Sequence, residues 1–480
     1  LLSDAALAGV GDYVGEALMR FGVPGAAVAV AQGGAVRFAR GFGVAALGAA
    51  RPVGPDTRFM IGSVPKSMTA LLVATLVDEG RLAWDTPVAE VLPQFVLADP
   101  AATAAVTFRD LLSMRSGLPR FDSPLFLRPQ SPEEVVESLA EVPLHARPGE
   151  AFAYSNQGFA TAGFAAAVAA GGVYGRDLYA TFARLMGERV FAPTGMGRVA
   201  LDFDAGAADP DRAEPHAVDL STGRLGPLPL GLERGGFSVI PAGGTTWASA
   251  IDLARYLLLH LGRGATPAGR RVVSEASLLE TRRPHTPLED GAYFGLGWIV
   301  GQHRGLEHVS YLGGNLGSTA YVSLLPAADL GVVVLTNASL TTPFLHAVAD
   351  HVAEAALGLA HTAGAGHEAS QREIRAALAQ LGGLIEPRTD PAAVAGLLGR
   401  YGPPPGVQMR SDGAGGLALT TPFGDLPLYR MTGRPSTFLI GIGVGVTATF
   451  TAADRATPGG VTVSWLLGEP QPPLTLARTD

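Results

Sequence analysis

Ser63 and Lys66 stand three residues apart in the run Ile61-Gly62-Ser63-Val64-Pro65-Lys66-Ser67. At a helix start this spacing puts both side chains on one face, with Cβ atoms about 5–6 Å apart. Pro65 suits a first turn, where N–H groups have no intrahelical partner. A hydroxyl there becomes a nucleophile if a base takes its proton, and a lysine serves when desolvation or nearby cations lower its pKa. Arginine cannot, because it keeps its proton in proteins. The plainer alternative is structural, with Ser63 as a helix N-cap and Lys66 as a solvated first-turn residue. Composition bears on the choice: Lys66 is the one lysine, against 34 arginines.

Two further segments carry chemistry. Tyr154-Ser155-Asn156 follows Pro148-Gly149-Glu150 and precedes a helical pattern. Ser155 and Asn156 are natural N-cap residues, but Tyr154 has no capping reason, and a phenol beside a cation titrates low enough to shuttle protons. The third segment is Tyr311-Leu312-Gly313-Gly314-Asn315-Leu316-Gly317-Ser318. Its glycines allow a backbone to approach a substrate closely; the alternative is an ordinary β-turn.

The whole chain narrows the classes. At 480 residues it is long enough for two or three domains. Hydrophobic residues make up 47% and charged residues 16%, enough for sizeable cores. Net charge is −8 and no basic run occurs, so neither nucleic acid nor an anionic membrane surface is an expected partner. With no cysteine there are no disulfides, thiolate metal sites or thiol nucleophiles. No run of 18 apolar residues suggests a membrane span. Pro65 before Lys66 excludes a P-loop, and neither Gly-x-Ser-x-Gly nor His-Glu-x-x-His occurs. A pyridoxal-phosphate enzyme using Lys66 would need a Gly-rich phosphate loop that is not found. No cofactor or metal is called for. The opening Leu1-Leu2-Ser3 reads as a processed or trimmed start, and an extracytoplasmic location is expected over a cytoplasmic one.

Periodicity supplies the elements. Residues 4–21 read as an amphipathic helix, and 26–31 with 35–40 as a hairpin about Gly33-Gly34. Residues 63–79 read as a helix ended by Gly80. Helical patterns follow at 108–114, 132–140, 157–170, 178–188 and 249–261. Strand-like runs return at 296–300, 320–325 and 331–337, followed by a helix at 343–357. The early hairpin and late strands are expected to share one antiparallel sheet, with the helical part inserted between them. Residues 361–390 read as a linker, loosest at 362–366, with a helix at 370–381. Beyond 391, β-rich runs at 417–420, 426–429, 437–441, 446–450 and 461–466 suggest a small barrel or sandwich.

In this order the three motifs resemble those of the serine β-lactamase and penicillin-binding-protein superfamily, most closely its branch of class C β-lactamases, D-peptidases and family VIII esterases. Ser63-Val64-Pro65-Lys66 matches the family's Ser-x-x-Lys, and Tyr154-Ser155-Asn156 its Tyr-x-Asn. Phe21 to Gly25, Leu111 to Pro119, Tyr293 to Trp298 and Leu330 to Asn337 resemble flanking segments of the family. In the third motif, counting back from Leu324-Leu325-Pro326 puts Tyr311 where the family has Lys or His. His308 could serve there if the register slips by three. Leu397 to Tyr401 and the late β runs resemble a lipocalin-like appendage.

The resemblance implies an α+β, β-lactamase/DD-peptidase-like fold: an antiparallel sheet flanked by helices, an inserted helical subdomain and a following β-barrel. The expected division is 1–360, 361–390 and 391–480. It implies an acyl-enzyme on Ser63, activation by Lys66 and proton relay by Tyr154. Asn156, Tyr311, Gly313, Gly314 and His308 are the implied substrate-binding candidates. The leading expectation is a peptidase or amidase acting on small peptides, including D-residue peptides, with a carboxylesterase as the alternative. A true β-lactamase ranks lower because no lysine is left for the third motif, and a non-catalytic sensor because Ser63, Lys66 and Tyr154 are kept together. The partner is a small-molecule or peptide substrate, and homo-oligomer formation is left open.

Overall fold

Apolar residues at helical spacing give α1, Asp4–Phe21, whose buried face holds Leu7, Val10, Val14, Leu18 and Phe21. Ser3 caps its start and left-handed Gly22 its end. The chain then forms β1, Gly25–Gln32, and β2, Ala35–Gly43, about a Gly33-Gly34 turn with φ of 64° and 72°. Two consecutive positive φ angles define the tight hairpin turn that glycine favours. The structure is a computed structural model that describes all residues except 123, 126–129, 238–243, 442–445, 452–458, 466–472 and 480.

The helical part comprises α2 (Pro65–Asp78), α3 (Phe108–Leu112), α4 (Pro132–Ser138), α5 (Asn156–Ala169), α6 (Leu178–Met186), α7 (Leu230–Phe237), α8 (Ala250–Leu261) and α9 (Glu275–Thr281), with shorter turns between them. The sheet resumes as β3 (Thr286–Pro287), β4 (Tyr293–Phe294), β5 (Ile299–His303), β6 (Leu306–Gly314), β7 (Thr319–Leu325) and β8 (Leu330–Thr336). The eight strands are ordered β2-β1-β8-β7-β6-β5-β4-β3, with every pairing antiparallel. This sheet packs on both faces. Ala27, Ala29, Val309, Tyr311 and Val333 join the core shared with the helical part. Val28, Val30, Tyr321 and Val334 join a second core under α1 and α10, Thr342–Leu357.

Two sequence expectations are corrected here. Residues 296–298 form a turn rather than the start of a strand: Gly295 N–H donates to the Trp298 carbonyl and Gly297 has φ of 75°. A Cβ on Gly297 would lie 2.7 Å from the Lys66 carbonyl oxygen, so this turn fits closely against α2. The stretch expected to be loosest, 362–366, already enters α11, Gly364–Gly383. That helix packs along α10, and its Gln371 is buried.

The last part of the chain is a meander of β9 (Gly399–Tyr401), β10 (Val407–Ser411), β11 (Leu417–Thr421), β12 (Gly424–Met431), β13 (Arg434–Ile440), β14 (Val446–Thr451), β15 (Gly460–Trp465) and β16 (Leu474–Ala477). Leu466, the end of one expected strand, lies outside the described residues. Gly402 N–H donates to Ala477 O and Thr479 N–H to Arg400 O, joining the first strand to the last. The result is a nearly closed antiparallel barrel around Tyr401, Leu419, Phe438, Phe450 and Val461. Among the described residues, no helix is long and apolar enough to cross a membrane.

Candidate active site

Helix α2 is buried on every side from Pro65 to Leu76, rather than along a single stripe. Its hydroxyls are satisfied within the helix: Ser67 Oγ donates to Val64 O, Thr69 Oγ1 to Pro65 O and Thr75 Oγ1 to Leu72 O. Immediately before it, Gly62 adopts a left-handed conformation with φ of 54°. A Cβ there would lie 2.2 Å from Gly314 N, so only glycine fits.

The capping alternative for Ser63 fails. The N-cap of α2 is Val64, with no side-chain cap bond. Ser63 Oγ instead lies 2.9 Å from Lys66 Nζ and 2.7 Å from the Tyr154 hydroxyl. Nor is Lys66 solvated: it is 0% exposed. Burial, its largest influence, lowers the Lys66 pKa, and the neighbouring Tyr154 only partly restores it. Nζ also sits 4.9 Å from the Tyr154 ring centroid and 5.9 Å from that of Phe159.

Helix α5 brings the second motif to this point. Ser155 caps it as expected, accepting from Gly158 N–H. Asn156, its first residue, accepts a 2.7 Å bond from Lys66 Nζ at Oδ1 and donates a 2.9 Å bond to Asp122 Oδ1 from Nδ2. Asn156 is buried and links Lys66 to Asp122 through its two polar atoms. Asp122 is fully buried and takes a 2.6 Å bond from Arg120 Nε. Arg120 Cζ in turn lies 5.2 Å from the Tyr154 ring centroid. Asp122 and Arg120 carry no local sequence signal; only the fold joins them to a lysine more than fifty positions earlier.

Strand β6 supplies the third motif. Tyr311 is 2% exposed and faces the helical core, edge-on to the Phe294 ring at 6.0 Å. Its hydroxyl helps to lower the Tyr154 pKa. Burial pushes the Tyr154 phenol up, but the Lys66 charge and the polar groups around the hydroxyl outweigh it and bring the pKa below its ordinary value. Gly313 lies against the Ser63 turn, where a Cβ would sit 2.1 Å from Ile61 O and 3.0 Å from Ser63 N. Gly314 meets Gly62 as described above.

His308 does not join this group, which corrects its candidacy. Side chains alternate along a strand, so a shift of three residues from Tyr311 reaches the opposite face. There His308 Nε2 lies 2.9 Å from Ser323 Oγ. It lines a cavity of about 830 Å³ with Tyr293, Leu312, Tyr321 and His346, which includes none of Ser63, Lys66 or Tyr154.

This arrangement, a serine hydroxyl between a buried lysine and a phenol and beside a glycine strand end, is suited to acyl transfer. Residues 12–357 match the beta-lactamase family. The chain belongs to that family. Family members are serine hydrolases. The chain is 30% identical to penicillin-binding protein 4 of Amycolatopsis lactamdurans over 343 residues, covering 67% of this chain and 83% of that protein. It is 29% identical over 343 residues to an unguisins hydrolase of Aspergillus campestris (strain IBT 28561), covering 69% of this chain but only 61% of that hydrolase. The octameric penicillin-binding protein homologue from Pyrococcus abyssi superposes with a TM-score of 0.65 at 22% identity, covering 99% of this chain and 100% of that one. For this beta-lactamase family chain, that likeness extends the shared fold through the barrel.

Proposed function

We propose that the chain is a serine acyl-transfer hydrolase working through an acyl-enzyme on Ser63. The observation that carries this reading is the position of Ser63 Oγ between Lys66 Nζ at 2.9 Å and the Tyr154 hydroxyl at 2.7 Å, with Lys66 wholly buried. Ser63 Oγ attacks a substrate carbonyl carbon as its proton passes to the Lys66–Tyr154 pair. The oxyanion of the tetrahedral intermediate takes hydrogen bonds from the N–H groups of Ser63 and Gly314. Tyr154 then returns the proton to the leaving group, and the acyl-enzyme forms. The same pair deprotonates the water that releases the acid.

We assign small peptides, including peptides with D-residues, as the substrate class, and a peptidase or amidase activity. Similarity to a penicillin-binding protein and to a hydrolase supports this reading over a β-lactamase. So does the third motif, which has Tyr311 instead of a cation. We also propose that the chain self-associates, as the octameric Pyrococcus homologue does; light scattering would test this.

The deciding experiment compares D- and L-aminoacyl p-nitroanilides, p-nitrophenyl esters and nitrocefin as substrates, with Ser63→Ala as control. Turnover of the anilides that Ser63→Ala abolishes is the expected result. Turnover of esters alone makes the enzyme a carboxylesterase. Fluorophosphonate labelling that persists in Ser63→Ala removes Ser63 as nucleophile.

A further inference from the structure

The β6–β7 turn, Asn315 to Ser318, follows directly on the glycines that touch the Ser63 segment. Its backbone is gripped from several sides. Asn315 N–H donates to Ser318 O, His216 N–H donates to Gly317 O, and Asn315 Nδ2 donates to Gly244 O at 2.7 Å. Glu233 on α7 accepts from the turn's two central N–H groups: Gly317 N–H at 2.6 Å on Oε1 and Leu316 N–H at 3.2 Å on Oε2. Glu233 is 3% exposed. Burial raises its carboxyl to about 7, with the two backbone donors pulling the other way. An acidic side chain so deeply buried is costly unless its bonds serve a purpose.

Helix α7 is itself fixed by the barrel. A Cβ on Gly231 would lie 2.4 Å from Phe423 O, and one on Gly235 would lie 2.2 Å from the Phe423 ring. These two glycines, four apart on one helix face, allow the β11–β12 turn to sit directly on α7. Leu316, at the tip of the gripped turn, packs against the barrel core. The turn is thus held between a buried carboxylate and the barrel, while the strand end before it bears on Ser63.

We propose that Glu233 is a positioning residue, holding the Asn315–Ser318 turn so that Gly313 and Gly314 stay seated against Ser63; its effect on catalysis rests on the acyl-transfer reading above. Glu233 touches no reacting atom in this role. It sets where the Gly314 N–H points, and a small misplacement of an oxyanion donor is costly to rate.

The test compares Glu233→Ala, which removes both acceptors, with Glu233→Gln, which keeps one acceptor oxygen. Three quantities are read for each folded variant: kcat and KM on a p-nitrophenyl ester, hydrogen exchange of residues 306–325, and Tm. In Glu233→Ala, kcat is expected to fall roughly 10- to 100-fold with little change in KM. Exchange at 313–318 should rise, and Glu233→Gln should lie between wild type and Glu233→Ala on both measures. A lowered Tm with kcat and exchange at 313–318 unchanged would overturn the proposal and leave Glu233 an ordinary core residue. If Glu233→Ala does not fold, Glu233→Gln decides by the same two readouts. Failure of the acyl-transfer reading shows separately, as absence of Ser63 labelling in the wild-type protein. Unchanged exchange at 313–318 would then still overturn the proposal, and raised exchange would support it.

Discussion

Lys66 Nζ lies 2.9 Å from Ser63 Oγ, and the lysine is completely buried. The pairing explains why a chain with 34 arginines keeps one lysine. In the proposed acyl-transfer mechanism the position requires a cation able to give up its proton, and burial is what lowers the cost of the neutral form. Lys66→Arg keeps the charge and removes that ability. Both Lys66→Arg and Lys66→Ala should lose about 100- to 10,000-fold in kcat/KM, the usual range for a general base. Steady-state kinetics, with circular dichroism to establish folding, checks this. An active Lys66→Arg enzyme would refute the base role.

Tyr311 takes the place of a cation beside Tyr154. Its hydroxyl helps hold the Tyr154 pKa below its ordinary value. Tyr311→Phe keeps the ring contact with Phe294 and removes only the hydroxyl. The Tyr154 pKa should then rise, moving the limb of the kcat/KM profile that reports Tyr154 deprotonation toward higher pH. An unmoved limb would mean that Tyr311 acts only through packing.

Gly62 is the hinge between the nucleophile turn and the third motif. Its φ is 54°, and a Cβ on it would lie only 2.2 Å from Gly314 N, so there is no room for a methyl group. Gly62→Ala should therefore displace Gly314 from Ser63. The left-handed backbone adds a destabilisation of about 1 kcal/mol or more. The expected outcome is a fall in fluorophosphonate labelling rate larger than the loss of stability accounts for, read at a temperature well below the variant's Tm. Equal labelling rates would show that the strand end tolerates displacement.

How much of this was legible follows from the range of each interaction. Ser63 and Lys66 are one helical turn apart, so their types and spacing already bring the two side chains together. Tyr154 and Asn156 needed the family resemblance, since nothing local ties a tyrosine near 154 to a serine at 63. Tyr311 follows from counting along β7 and β6, whereas the alternative at His308 fails because an odd shift along a strand changes face. Arg120, Asp122 and Glu233 stand in no motif or periodic run that would single them out; the fold buries or half-buries them. The barrel's end strands, Gly399–Tyr401 and Leu474–Ala477, are too short to show a period. Backbone bonds between them reveal their role.

The outer face of the sheet predicts an acid-sensitive fold. His308, His346 and Asp350 lie there with His303 and His367. Asp350 receives His367 Nε2 at 2.8 Å and faces His303 Nε2 at 3.7 Å. Nearby, His351 stacks between Tyr13 and His361, each 3.9 Å away. Burial, reinforced by neighbouring histidines, pushes His308 and His351 down to about 4 and lowers His346 as well. Unfolded histidine titrates near about 6.5. Between these values the unfolded chain binds more protons than the folded one, so this contribution to stability is complete above about 6.5 and declines as the pH falls toward 4. Asp350 acts in the same direction: its hydrogen bond from His367 and the nearby histidine charges outweigh burial and lower its pKa. Glu233, raised to about 7, opposes the trend by favouring the folded state as it takes up a proton. Comparison with His351→Phe separates the two, because this variant keeps the ring stack on Tyr13 and removes one titrating group. Wild-type Tm should fall steadily from pH 7.5 to 4.5, and the fall should be shallower in His351→Phe. Equal slopes would mean that His351 does not contribute to the acid sensitivity.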